Sequence, residues 1–286
     1  MGDWRRTCQR CALCSVCAVC HYRCPGLNQK LLRREFLAAS AAGFFFPSAA
    51  HAAGGPLIVP DPIIRERVAS PLGPLGFQRT ALKEGRRIRL PESEIKRIAW
   101  TVDDGASAAG VRDYLDFVER YNLRMTFFIN SVYPAWKKNR EQIQELVNAG
   151  KIQLANHTHS HPSMTRLSTA GIKQELRKCG SFIEDNFGVS AKPYYRPPYG
   201  RIDQRVINVA KDMGYTSPVM WSGSLGDSAA QRKRYILQLG IKWIRDRTIL
   251  LDHFNDRTPK YVFKALAKHL EQRELLTVTL DDVYYS

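Results

Sequence analysis

The chain has 286 residues, with 43 Lys plus Arg against 27 Asp plus Glu, a formal net charge of +16 and 44% hydrophobic residues. That composition excludes an intrinsically disordered chain and a miniature scaffold, and its length allows one large domain or two small ones. No apolar run reaches about 18 residues, the longest candidate being Phe36 to Ala50, which excludes a polytopic membrane protein.

Six of the seven cysteines, Cys8, Cys11, Cys14, Cys17, Cys20 and Cys24, fall in the first 24 residues, and only Cys179 lies beyond them. The body of the chain therefore has no disulfide framework and must fold on packing, with or without a metal. The Cys-x-x-Cys ladder has the local spacing of an iron-sulfur or zinc site, but reads more readily as a disordered tail or an over-extended gene start. Residues 31 to 53 follow with Arg33-Arg34, Phe36-Leu37, a modest apolar run and a small-x-small ending at Ala50-His51-Ala52. These are the three parts of an export signal, and the Arg-Arg-x-Phe-Leu opening resembles a twin-arginine signal read by the twin-arginine export machinery. Cleavage after Ala52 would remove residues 1–52 and place the rest in the periplasm, the cell wall or the medium; an uncleaved signal would leave it anchored to the membrane. Residues 1–52 hold seven basic and two acidic residues, so +11 of the formal +16 stays with the remainder. That charge suits an anionic cell envelope, and no nucleic-acid-binding motif occurs.

Residues 53–96 are rich in Pro and Gly and then basic from Lys83 to Arg89, which predicts a linker or an arm lying on the main domain. Residues 97–286 form the expected catalytic domain. There, β-rich runs at Ile98 to Val102, Met125 to Asn130, Ile152 to Ala155, Tyr194-Tyr195, Val219 to Trp221, Thr248 to Leu251 and Leu276 to Leu280 alternate with helical patterns. Apolar residues recur at helical spacing at Val111, Tyr114, Leu115 and Val118, at Ile143, Leu146 and Val147, and at Ile172, Leu176, Cys179, Ile183 and Phe187. Seven strands alternating with helices predict an α/β fold, either a barrel or a doubly wound sheet.

The unusual polar residues fall just past the carboxyl ends of five of these runs: Asp103-Asp104-Gly105, His157 to His161, Arg196 to Gly200, Trp221, and Asp252-His253. Parallel α/β folds gather ligands and catalysis at that end. Asp-Asp-Gly alone reads most simply as a turn. Three histidines in five residues are a less usual structural choice, since neutral imidazole is a common metal donor. The four-residue spacing lets His157 and His161 converge on one ion. With one carboxylate they would leave a coordination position for water, as hydrolytic metal sites do.

Thr101-Val102-Asp103-Asp104-Gly105, Asn156-His157-Thr158-His159-Ser160-His161-Pro162, Tyr195-Arg196-Pro197-Pro198-Tyr199-Gly200 and Leu251-Asp252-His253 resemble, in order and spacing, the signature blocks of the NodB-homology polysaccharide deacetylases, carbohydrate esterase family 4. The resemblance covers about residues 97 to 282. It implies a distorted (β/α) barrel of about seven strands and a divalent metal, most often zinc, with cobalt or another divalent ion as alternatives. It also implies removal of acetyl groups from peptidoglycan, chitin-like or related acetylated polysaccharides, or from O-acetyl esters of xylan. By position, the metal ligands would be Asp104, His157 and His161. Asp103 would be the general base, with Arg196 holding and orienting it, and His253 the acid that protonates the leaving amine. The backbone N–H of Tyr199 would bind the oxyanion, and Trp221 and Leu251 would wall the acetyl pocket, although on composition alone both read nearly as well as core residues. His159 matches no ligand position, while a His157-x-His159 pair remains a rival set.

One block departs from the pattern. Where the family usually places an Asp against the catalytic histidine, this chain has Ser224 in Trp221-Ser222-Gly223-Ser224-Leu225-Gly226-Asp227. A neutral partner there would weaken the acid at neutral pH and shift the optimum to acid, unless Asp227, Asp252 or Asp256 substitutes. The gap also supports a second expectation, a glycan-binding protein with impaired turnover. A third, a redox protein, rests on the cysteine ladder.

Overall fold

The computed structural model describes Gly73 and residues 75–285, all within one of two units, Ile58–Ser286. The cysteine ladder, the export signal and most of the Pro/Gly-rich stretch up to residue 72 lie outside the described residues.

In chain order the strands and helices are β1 (Thr80–Ala81), β2 (Arg97–Asp104), α1 (Ala108–Arg120), β3 (Met125–Ile129), α2 (Ala135–Lys138), α3 (Arg140–Asn148) and β4 (Ile152–Asn156). Then come α4 (Thr169–Phe187), β5 (Tyr194–Tyr195), α5 (Gln204–Asp212), β6 (Ser217–Pro218), β7 (Gly223–Ser224) and α6 (Lys233–Trp243). The chain closes with β8 (Ile249–His253), α7 (Phe263–Gln272), β9 (Leu276–Thr277), α8 (Leu280–Val283) and β10 (Tyr284–Tyr285).

Seven parallel strands run in the order β6-β5-β4-β3-β2-β8-β7 and curl into a half-barrel. Side chains alternate across it, as the two-residue period of a strand requires. Ile98, Trp100, Val102, Met125, Phe127, Ile129 and Leu154 join the apolar layer under the helices. Ala99, Phe128, Ala155, Tyr194, Val219 and Ile249 form a second, inner cluster. The helices bury the stripes read from the sequence. In α4, Ile172, Leu176, Cys179, Ile183 and Phe187 are buried, the Ser168 side chain caps the start and Gly188, in the left-handed conformation, ends it.

Two expectations change. The fifth strand is Ser217–Pro218 rather than Val219 to Trp221, and a sixth, Gly223–Ser224, follows it on the far side of β8. The run Leu276 to Leu280 is not a strand of the barrel path. Leu276–Thr277 pairs only with the root of β2, after which Thr279 caps α8 with a reciprocal Thr279–Asp282 box that ends extended structure. The turn carries Val278, Leu280, Val283 and Tyr284 into the inner cluster. There the Arg124 guanidinium grips Asp282 through two bonds of 2.6 Å.

The segment before β2 is bonded to the barrel at several points. β1 pairs with β10, Arg87 bridges to Val219 beside β6, Arg89 bridges to Thr248 at the root of β8, and Leu90 is buried in the inner cluster. Among the described residues no helix is long and apolar enough to cross a membrane.

Candidate active site

β2 delivers two adjacent carboxylates. Residues next to each other on a strand point to opposite faces, yet Asp103 and Asp104 both approach His157: Asp103 Oδ2 lies 3.6 Å and Asp104 Oδ1 3.5 Å from its Nε2. The strand ends at Asp104, whose φ of 82° turns the chain there, and Gly105 follows at φ 124°. A side chain at Gly105 would strike the Trp136 ring, with its first carbon only 2.3 Å from the indole, so this turn needs glycine. The indole N–H in turn donates to the Asn130 carbonyl, which ties the turn to the end of β3.

The loop after β4 folds two histidines onto the same point. The Asn156 side chain accepts from the Thr158 N–H, and the Thr158 hydroxyl accepts from the His161 N–H. Asn130 donates to the His157 and Thr158 carbonyls, and Glu175 of α4 binds the Ser160 N–H and hydroxyl. Thr158 and His161 hold φ of 71° and 62°, strained values that these bonds maintain. His161 Nε2 reaches 3.4 Å from Asp104 Oδ1. His157 Nδ1 lies 2.7 Å from the Arg196 carbonyl, an atom that can only accept, so Nδ1 carries the proton and Nε2 offers its lone pair to the cluster.

Asp104, His157 and His161 thus bring three ligand atoms within 4.8 Å of one another. Their two measured edges, 3.5 and 3.4 Å, match the edge of about 3.4 Å expected for a tetrahedron of N and O ligands around zinc. Asn255 donates to the second Asp104 oxygen at 2.7 Å and fixes the carboxylate plane. Burial raises the Asp104 pKa, but the hydrogen bond and charge of His157, with the charges of His253 and His161, outweigh it and hold the group well below the usual carboxylate range. Burial lowers His157, and the charge of Asp103 with the bond and charge of Asp104 more than reverse that. At His161, burial and the charge of His157 win, and its pKa is lowered. The donor set suits a divalent cation of the zinc type.

Arg196 enters from the end of β5, fully buried. Its Nη1 donates to Asp103 Oδ1 at 2.6 Å and to the Thr101 hydroxyl at 2.9 Å, while Nε and Nη2 bond the Val219 and Met220 carbonyls. Its face lies 4.2 Å over the Phe128 ring. One Asp103 oxygen is pinned, and the other faces the histidines. His253, the last residue of β8, is the cross-strand partner of Asp103, so the two sit side by side at the mouth of the half-barrel. The His253 Nδ1 lies 3.0 Å from Asp227 Oδ1, and Asp227 is 1% exposed.

Residues 91–218 match the family model of polysaccharide deacetylases. Over 191 residues, 66% of this chain, it is 27% identical to the peptidoglycan-N-acetylglucosamine deacetylase of Listeria monocytogenes, and the match spans 39% of that protein. Chitin deacetylase 1 of Cryptococcus neoformans is 37% identical over 108 residues, 38% of this chain and 22% of that protein. Among solved structures, the wild-type pseudoenzyme of carbohydrate esterase family 4 from Bacillus anthracis superposes with a TM-score of 0.61 at 20% identity, covering 72% of each chain. The fold is the distorted (β/α) barrel of the NodB-type deacetylases.

Within this deacetylase-type barrel the remaining sequence candidates are placed as follows. Tyr199 sits in a short turn at φ 59°, largely exposed, with its ring 4.6 Å from that of His161. Trp221 is half-buried, 5.8 Å from the Arg196 guanidinium, and would collide with a side chain at Gly200. Leu251 is buried in β8 beside Thr101. His159 does not join the cluster. Its Nδ1 pairs with the Ser131 hydroxyl at 2.8 Å, so the rival His157-x-His159 pair is not what the loop assembles.

The expectation built on Ser224 is corrected. The Ser224 hydroxyl takes the Gly226 N–H and does not touch His253. The acidic partner is supplied three residues later by Asp227, after a turn at Gly226 with φ 69°. Asp256 instead accepts the Thr258 N–H at the start of a helical turn. Asp227, one of the three acids expected as substitutes, fills the gap. The acid-shifted optimum expected of a neutral partner therefore loses its premise, while the glycan-binding reading loses the gap as an argument and keeps the positive charge. The supporting residues Asn130, Asn255 and Glu175 were not singled out from the sequence, because only the folded loops bring them next to the histidines.

Proposed function

We propose that this chain is an exported, metal-dependent polysaccharide deacetylase that hydrolyses N-acetyl groups of amino-sugar glycans of the peptidoglycan or chitin type. The observation that carries this reading is the convergence of Asp104, His157 and His161 beside a buried Asp103–Arg196 pair and the His253–Asp227 pair. Similarity to peptidoglycan and chitin deacetylases supports the substrate class. Export rests on residues 31 to 53 alone.

Asp104, His157 and His161 would hold the cation. When bound, a divalent cation supplies Lewis acidity that eases deprotonation of water and polarises the acetyl carbonyl. Asp103 Oδ2, on the side of the carboxylate that Arg196 leaves open, accepts the proton of the attacking water. Arg196 keeps Asp103 in one orientation through its bond to Oδ1 and prevents it from turning away. Negative charge that develops on the carbonyl oxygen is met by the Tyr199 backbone N–H. An amine is a poor leaving group until protonated, so His253 donates a proton to the nitrogen, and Asp227 at Nδ1 stabilises the imidazolium and points Nε2 outward. The positive formal charge of the residues after the signal favours an anionic envelope as the site of action.

Acetate release from N-acetylglucosamine oligomers and from intact peptidoglycan, measured with the zinc-loaded protein and after chelation, tests the reading. Metal-dependent release is the expected result. No release from any acetylated glycan with the ion demonstrably bound would contradict it. N-terminal sequencing of the protein recovered outside the cell, expected to begin at Ala53, tests export.

A further inference from the structure

His253 is held from behind by two carboxyl groups rather than one. Its backbone N–H is shared by Asp227 Oδ2 at 3.0 Å and Asp252 Oδ1 at 3.1 Å, which sets these two oxygens against each other around a single hydrogen. Two buried carboxylates so placed, each on the same N–H and with no Lys or Arg beside them among the described residues, repel each other, and a proton on one of the two relieves that repulsion.

The fold decides which one. Asp252 alternates with His253 along β8 and lies opposite Val102, so it turns from the barrel mouth into the apolar layer under α1. It is fully buried, and its Oδ2 accepts the Trp100 indole N–H at 3.0 Å. The Tyr114 hydroxyl of α1 is buried in the same layer and has no hydrogen-bond partner among the described residues. The other titratable groups facing this cluster are Asp103 on β2, Asp113 on α1 and His253 itself, and no Lys or Arg forms an ion pair with Asp227 or Asp252 among the described residues. Asp227 pairs with the His253 imidazole, a group that can carry positive charge, whereas Asp252 has only the neutral Trp100 N–H and a share of the His253 N–H, among apolar walls and beside another acid.

We propose that Asp252 is a positioning residue that remains a neutral carboxylic acid and donates its hydroxyl to Asp227, fixing the carboxylate that orients His253. Burial and the neighbouring charge of Asp227 push Asp252 well above the ordinary carboxylate range, and burial raises Asp227 to about 6, in keeping with one proton between them. Donation from Asp252 occupies the Asp227 oxygen turned away from the imidazole, so Asp227 cannot rotate while His253 works. The part of this inference that concerns His253 rests on the deacetylase reading above; the protonation state of Asp252 does not.

The test is a pH titration by NMR of the protein labelled at its aspartate carboxyl carbons, run on wild type and Asp252→Asn, beside kcat against pH for wild type, Asp252→Asn and Asp252→Leu. One aspartate should stay protonated at neutral pH in wild type, and its signal should vanish in Asp252→Asn. Asp252→Leu should lose turnover by about 10- to 100-fold with a displaced pH profile, and Asp252→Asn, which still donates to Asp227, should recover most of the loss and restore the profile. Absence of any protonated aspartate at neutral pH would overturn the proposal, whether or not the protein deacetylates glycans. Equal damage in Asn and Leu, or a Leu variant with an unmoved profile, would overturn it as well. If Asp252→Leu does not fold, the NMR comparison of wild type with Asp252→Asn still decides.

Discussion

Two buried arginine–aspartate pairs sit at opposite ends of the barrel and have different jobs. At the closed end, Arg124 meets Asp282 through both carboxylate oxygens, and Asp282 Oδ2 also accepts the Thr279 N–H of its own capping box. Both Asp282 oxygens are engaged by donors that hold the chain together. At the open end, Arg196 spends its other donors on Thr101 and on two carbonyls and gives Asp103 a single bond, which leaves Asp103 Oδ2 facing His157. A saturated pair holds chain segments together, and a half-saturated one can take a proton.

That contrast breaks most sharply at Asp103. Asp103→Asn should lower turnover by about 10³- to 10⁴-fold while metal binding persists, because the amide keeps the shape and loses the basic oxygen. Steady-state kinetics and metal analysis on one preparation check both halves, and retained turnover would overturn the assignment of the base.

Arg124→Met is the mirror experiment. Removing one partner of a buried pair leaves an uncompensated charge, so denaturant unfolding should show a loss of about 3 to 5 kcal/mol, with kcat per folded molecule changed less than about 2-fold. A stable variant with collapsed kcat would show that the closed end is not merely structural.

Asp227 is expected to lie between these extremes. Asp227→Asn should cost about 10²-fold in kcat through loss of imidazolium support. Its pKa is raised by burial from 3.8 to about 6, so between those values the folded protein binds more protons than the unfolded chain. Stability should therefore fall as pH rises across that window, and the fall should flatten in Asp227→Asn. Melting temperatures at pH 4, 5, 6 and 7 measure it, and a rise over that range in wild type would contradict the burial argument. The smallest effect is expected at His159, bonded to Ser131 and away from the ligand cluster. His159→Ala should change metal affinity less than about 3-fold by calorimetry.

The parts of this molecule that were legible in the sequence are those where one residue type has one physical use. The β-rich run Ile98 to Val102 and the helical stripe from Ile172 to Phe187 each predict an element that is present, and Asp103, Asp104, His157, His161, Arg196 and His253 from the polar blocks do meet at one mouth. Geometry that depends on loop length was not legible. Gly223–Ser224 is too short and has too little β propensity to announce a strand, yet it supplies the end of the sheet. The turn at Gly226 moves the acidic partner of His253 from position 224 to 227, and spacing alone cannot show which side chain swings inward. The run from Leu276 to Leu280 has the apolar content of a strand, but Thr279 and Asp282 form a capping box that makes it a plug.

The account rests above all on three ligand atoms closing around one cation. Crystals of the zinc-loaded protein, measured at the zinc absorption edge, test this directly. A single anomalous peak within bonding distance of Asp104 Oδ1, His157 Nε2 and His161 Nε2, absent from Asp104→Ala crystals, is the predicted result. A fully loaded crystal with no peak there, or with its zinc held by other residues, would contradict it.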